Sequence, residues 1–155
     1  MKHIILLILL ITLVSCTHNT SLELESTAPF EIPKYGGITC IEEHCFDVEI
    51  ADESAEYIIG LMGRDVLAKK SGMLFEFYEY DIYKFWMKNT LIPLDIIWIA
   101  NDTIVYISYD AQPCGRGICE TIDPEVEANY VLEINGGLAE EYGIKAGDFV
   151  NITFK

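Results

Sequence analysis

The stretch from Leu94 to Ile107 constrains the fold more than any other part of the chain. Ile97-Trp98-Ile99 and Thr103-Ile104-Val105-Tyr106-Ile107 are rich in β-branched and aromatic side chains, and Asn101-Asp102 stands between them. Asn and Asp tolerate the backbone angles of a tight turn, so the pattern predicts a β-hairpin. Leu94 to Ile99 is apolar almost throughout, the composition of a deeply buried strand. Cys45 to Ile50 alternates apolar and acidic residues, the period of a strand with one face wet, and Ile38 to Ile41 is its natural partner. Gly72 to Phe77, Tyr83 to Lys88, Tyr130 to Ile134 and Phe149 to Phe154 carry further strand signals.

Two short helices interrupt the strands. Ala55, Ile58, Ile59 and Met62 fall at helical spacing across residues 53–63, with Asp52 or Ser54 as cap and Gly60 and Gly63 loosening the end, so this helix needs a partner surface. Gly136-Gly137 opens a second helix over Leu138 to Tyr142, which Gly143 can stop in a left-handed conformation. Short strands punctuated by Gly and Asn, with two short helices, predict a mainly β (α+β) domain over residues 36–155. It is expected to be a single small β-barrel or sandwich.

The N-terminus reads as an address. Lys2 and His3 precede the apolar run Ile4 to Val14, too short to span a membrane but suited to a secretory signal peptide over residues 1–15. The run ends Leu13-Val14-Ser15-Cys16, the form of a lipobox, so Cys16 is the expected lipidation site. A doubly acylated Cys16 anchors a protein without spanning. Residues 16–35 then form a tether with no helical or strand period. The expected location is the periplasm or the outer side of the cell membrane, with the membrane as a partner through the lipid.

Four cysteines remain in two copies of one spacing, Cys40-x4-Cys45 and Cys114-x4-Cys119. An even count outside the cytoplasm implies disulfides, and four cysteines allow three pairings. The local pairs are favoured, because Cys40 and Cys45 flank a hairpin tip at Glu42-Glu43-His44 while Cys114 and Cys119 bracket the Gly115-Arg116-Gly117 loop. Zinc fits less well, since structural zinc sites belong mostly to reducing compartments, and no metal or other cofactor is expected.

With 25 acidic and 10 basic residues the net charge is −15, a surface that repels polyanions, so no nucleic acid partner is expected. His44 is the only histidine outside the N-terminal segment, and no Walker loop, dinucleotide fingerprint or zinc-protease motif is present. No set of catalytic residues emerges. What stands out is Phe85-Trp86-Met87-Lys88-Asn89-Thr90-Leu91-Ile92-Pro93-Leu94-Asp95, where aromatics sit beside Lys, Asn and a carboxylate flanked by apolar residues. Such a carboxylate must be paired, hydrogen-bonded or protonated, and Arg64 is a possible partner. The ordinary reading makes Arg64, Asn89 and Asp95 a polar bracket tying turns to the β body.

Gly60-Leu61-Met62 with Arg64, Gly72-Met73-Leu74-Phe75, Phe85 through Thr90, Ile92-Pro93-Leu94-Asp95 and Tyr130-Val131-Leu132-Glu133 resemble, in order and spacing, the family called domain of unknown function 192 (DUF192). The resemblance covers about residues 45–152 and implies a small, mostly β fold. It also implies a pair between Cys114 and Cys119, which leaves Cys40 for Cys45. Gly63 stands where a bulky aromatic is common in that family, so any pocket wall provided there would be missing. The resemblance carries no activity, substrate or catalytic residue.

Two functions compete. In the first, a lipid-anchored, noncatalytic module binds a small ligand or docks to a membrane protein through Arg64, Trp86, Lys88 and Asn89, with Asp95 and Glu133 as further candidate binding residues. In the second, an acid/base hydrolase pairs Asp95 with Glu133 and uses Arg64 against developing negative charge, which requires both acids in one cleft.

Overall fold

The structure, a computed structural model, describes residues 35–155 apart from residue 116. The signal peptide expected over residues 1–15 and, of the segment expected over residues 16–35, Cys16 and everything up to residue 34 lie outside the described residues; the last residue assigned to the tether, Tyr35, instead begins the first strand. The elements in chain order are β1 (Tyr35–Ile41), β2 (His44–Ala51), α1 (Ser54–Ile59), β3 (Ser71–Asp81), β4 (Phe85–Trp86), β5 (Leu94–Ala100), β6 (Thr103–Ala111), β7 (Thr121–Ile122), β8 (Ala128–Asn135), α2 (Leu138–Tyr142) and β9 (Val150–Phe154).

Seven strands make one sheet in the order β6-β5-β8-β3-β2-β1-β9, and β4 pairs with β7 in a separate ribbon. The β5–β6 hairpin turns on Asn101 and Asp102 with φ of 49° and 57°, the positive angles that these residue types tolerate. β2 and β3 are the one parallel pair within the sheet, and parallel neighbours need a crossover, which α1 and the loop after it provide.

The sheet curls until its two edges touch at one corner. Thr103 and Phe149 form an antiparallel bridge there. The Val150 amide donates to the Asp102 carbonyl at 2.8 Å and the Ile104 amide to the Asp148 carbonyl at 3.0 Å. β6 and β9 otherwise remain the edges, so the expected barrel or sandwich is realised as a curled, seven-stranded half-barrel.

Both faces of the sheet are covered, which accounts for the uniform apolarity of β5: all seven of its residues are buried. Ile97 and Ile99 point inward to Ile41, Phe46, Val48, Leu74, Leu132 and Val150, with Leu138 and Ala139 of α2 closing that cluster. Leu94, Ile96 and Trp98 point outward to Phe75 and Val131, and Leu61, Leu67 and Met87 cover them from connecting segments. Strand alternation therefore sorts one continuous run into two cores.

Several local expectations change. α1 is shorter than residues 53–63, and its cap is Glu53 in a capping box with Glu56, where neither Asp52 nor Ser54 was needed. It buries no residue: Ile58 is 62% and Ile59 58% exposed, so the partner surface its spacing implied is not among the described residues. The strand expected over Tyr83 to Lys88 contracts to Phe85–Trp86, which pairs with the two residues of β7, and Lys88 keeps just an isolated bridge to Cys114. α2 follows Gly137 and stops at Gly143, which is left-handed with φ of 71°. His44 begins β2 and stacks on Tyr142 with centroids 4.1 Å apart, so the tip of the first hairpin is Glu42-Glu43 alone.

Candidate functional site

Both local disulfides are present. Cys40 and Cys45 face each other across β1 and β2 with Cα atoms 4.0 Å apart. Cys114 pairs with Cys119, their Cα atoms 5.7 Å apart, and so closes the loop that leads into β7.

Asp95 and Glu133 sit on adjacent strands, yet they never meet. In the register of β5 with β8, Asp95 lies opposite Ile134 and Glu133 opposite Ile96. Ile134 belongs to the inner core and Ile96 to the outer one, so the two carboxylates project from opposite faces. Asp95 is fully buried. Its Oδ1 accepts the Asp110 amide at 2.7 Å and the Gly137 amide at 3.0 Å, and its Oδ2 accepts the Ala139 amide at 2.6 Å. These bonds tie the end of β6 and the first turn of α2 to β5, satisfying amides that a short helix leaves orphaned. The hydrolase pairing of Asp95 with Glu133 is thereby excluded, and Asp95 is no partner of Arg64.

Arg64 instead engages Glu49. Its guanidinium forks onto the carboxylate, with Nη2 2.6 Å from Oε2 and Nη1 bonded to Oε1. Glu49, Met73 and Glu133 occupy matching positions on β2, β3 and β8, so Glu133 lies on the same outer face. Glu133 is 5% exposed, and its Oε2 has no hydrogen-bond partner among the described residues. Burial pushes its carboxyl up to about 8, while the Arg64 charge pulls the other way. The expected bracket of Arg64, Asn89 and Asp95 thus breaks into an inner Asp95 knot and an outer group of Arg64, Glu49 and Glu133.

Asn89 joins this outer group through its backbone. With φ of 56° it sits in the left-handed region, its carbonyl accepts the Gly63 amide at 2.9 Å, and its amide donates to the Cys114 carbonyl at 2.9 Å. The Arg64 loop and the disulfide loop are therefore stitched together at Asn89. Gly63, with φ of 73°, has nothing within 4 Å of the place a Cβ would take, so the wall that a bulky aromatic could supply is open.

Beside this group lies a half-open cleft of about 470 Å³, lined by Tyr57, Phe77, Tyr83, Phe85 and Trp86, with Tyr78, Glu79 and Lys84 completing it. Phe77 and Tyr83 stack at 3.6 Å, Tyr57 tilts against Phe77 at 4.8 Å, and Phe85 meets Phe75 edge-on at 4.9 Å. The Tyr57 hydroxyl donates to the Glu76 carbonyl at 2.7 Å and the Trp98 indole to the Tyr83 carbonyl at 2.7 Å, so hydrogen bonds hold the walls. Trp86 is 41% exposed and Tyr78 96% exposed. Lys88 places its ammonium 5.0 Å from the Trp86 ring centroid. Lys84 is bonded to Asp123 at 2.6 Å, and that carboxylate holds its ammonium above the ordinary lysine range.

Of the six candidate binding residues, Trp86 lines the cleft, Lys88 stacks on it, and Arg64, Asn89 and Glu133 form the neighbouring outer group. Asp95 faces the other way. The cleft itself was not anticipated, although six aromatics crowd the ten residues from Phe77 to Trp86, a density that a strand facing both water and core does not require.

No curated protein matches this chain. Among solved structures, a protein of unknown function from Novosphingobium aromaticivorans DSM 12444 is 39% identical, with a TM-score of 0.68, covering 74% of this chain and 83% of that one. A protein described as a candidate transcription regulator from Sinorhizobium meliloti 1021 is 34% identical, with a TM-score of 0.70, covering 78% of this chain and 96% of that one. The family model DUF192, described as an uncharacterized ACR, matches residues 38–152, which hold the outer group, the cleft and the Asp95 knot alike. The chain belongs to the DUF192 family.

Proposed function

We propose that this protein is a lipid-anchored, extracytoplasmic and noncatalytic domain that binds a small, largely apolar ligand in the cleft of Tyr57, Phe77, Tyr83, Phe85 and Trp86. The observation that carries the reading is the cleft itself: about 470 Å³ lies within the range of small-molecule sites, and six aromatic side chains line it. Ordinary cores bury such rings. Here Trp86 is left partly open on β4, whose one strand partner among the described residues is β7, which the Cys114–Cys119 loop leads into. The two disulfides are compatible with an oxidising compartment, and the Val14-Ser15-Cys16 segment supplies the anchor. A nucleic-acid role of the kind named for the Sinorhizobium protein finds no support in a chain of net charge −15.

Indole, a flat neutral aromatic, is the first probe. Titrated into the full-length protein in detergent, it should give saturable NMR shifts at Tyr57, Phe77, Tyr83 and Trp86, and Trp86→Ala should weaken binding at least about tenfold. Shifts scattered over the surface with no saturation, or saturation that Trp86→Ala leaves untouched, would refute the cleft as a binding site.

A further inference from the structure

We infer that the cleft selects an organic cation: a ligand with a quaternary or otherwise alkylated ammonium beside an apolar body. The inference rests on the binding reading above and names the ligand class it leaves open. Aromatic rings present negative faces, and several rings around one cavity form the kind of cage that holds an alkylated ammonium whose dispersed charge is weakly hydrated. Tyr57, Tyr78, Phe77, Tyr83, Phe85 and Trp86 supply six such rings around one space.

Charge at the wall points the same way. Two charged side chains line the cleft, Glu79 and Lys84. Lys84 is committed to Asp123 at 2.6 Å, so its charge is matched. The Glu79 carboxylate has no ion-pair partner among the described residues, and the neighbouring Tyr83 hydroxyl bonds the Glu79 backbone carbonyl and leaves the carboxylate free. An anionic ligand would meet Glu79, and the one cation among the residues that line the cleft, Lys84, is already matched. A cation meets one unpaired negative charge and a lining of aromatic rings, on a chain whose net charge of −15 raises the local concentration of cations. Lys88 gives the chemistry an internal precedent, since its ammonium already rests 5.0 Å from the Trp86 ring centroid.

The test uses two ligands of the same shape, phenyltrimethylammonium and tert-butylbenzene, titrated into the full-length protein in detergent and followed by the same NMR shifts. The cation should bind at least about tenfold more tightly, and raising the salt should narrow the gap. Glu79→Gln should reduce the preference severalfold, and Trp86→Leu should weaken the cation more than tert-butylbenzene. Equal affinity for the two ligands, with indole still bound, overturns the cation inference and leaves the cleft reading standing. Failure of all three to saturate overturns both. A preference for the cation that survives unchanged in both Glu79→Gln and Trp86→Leu also overturns the inference, because it would come from outside the cleft.

Discussion

Asp95 offers the sharpest test of how this fold is held together. Asp95→Asn preserves the side-chain shape and changes one oxygen into an amide. If the remaining oxygen stays with the Asp110 and Gly137 amides, the new NH2 faces the Ala139 N–H, donor against donor, and the 2.6 Å bond that this amide donates to Asp95 Oδ2 is lost. Losing one charge-assisted bond costs about 1.5–3 kcal/mol, and leaving a buried N–H unpaired costs about 1–3 kcal/mol more, so about 2.5–6 kcal/mol is expected in total. That is a large share of the roughly 5–15 kcal/mol that holds a domain folded. In urea, with the disulfides intact and a slope of about 2 kcal/mol per molar, the unfolding midpoint should fall by about 2 M at unchanged slope. A shift below about 0.5 M would show that these amides find other partners and that Asp95 is dispensable to the knot.

Glu133 should make stability depend on pH. Its folded carboxyl titrates near 8 against an ordinary value of 4.5, so the folded state keeps a proton that the unfolded state loses. This contribution is full below about pH 4.5, declines as pH rises toward 8, and is gone above it. Glu133→Gln, measured by urea unfolding at pH 5 and pH 8, should gain on the native protein at pH 8 by at least about 1 kcal/mol; parallel curves would refute the assignment. Replacing both Cys114 and Cys119 by Ser opens a short loop and should cost about 2 kcal/mol, and it should also blunt indole binding because that loop leads into the strand that pairs with Trp86. A preparation made in its native host should show by intact mass a chain beginning at Cys16 with acyl groups attached and no free thiol; a chain starting at Met1 with five free thiols would remove the anchor and the compartment together.

The sequence determined most of the elements because their signals are local. Asn101-Asp102 specifies its turn through its own backbone preferences, Gly143 stops α2 for the same reason, and the alternation from Cys45 to Ile50 needs only the two-residue period of a strand. The spacing of the cysteines likewise favoured their pairing. What the tertiary structure alone decided is how those elements face one another. Asp95 and Glu133 look like a pair of acids in the sequence, but the register of β5 on β8 sends them to opposite faces. Arg64 passes over Asp95 and takes Glu49, a residue whose place is set by the parallel pairing of β2 with β3. The aromatic cleft exists because α1, the end of β3 and the β4 ribbon converge there, and Ile58 and Ile59 stay exposed because no described element covers α1. Register and curvature are properties of the whole sheet, fixed by contacts between residues far apart in the chain, so no local pattern encodes them.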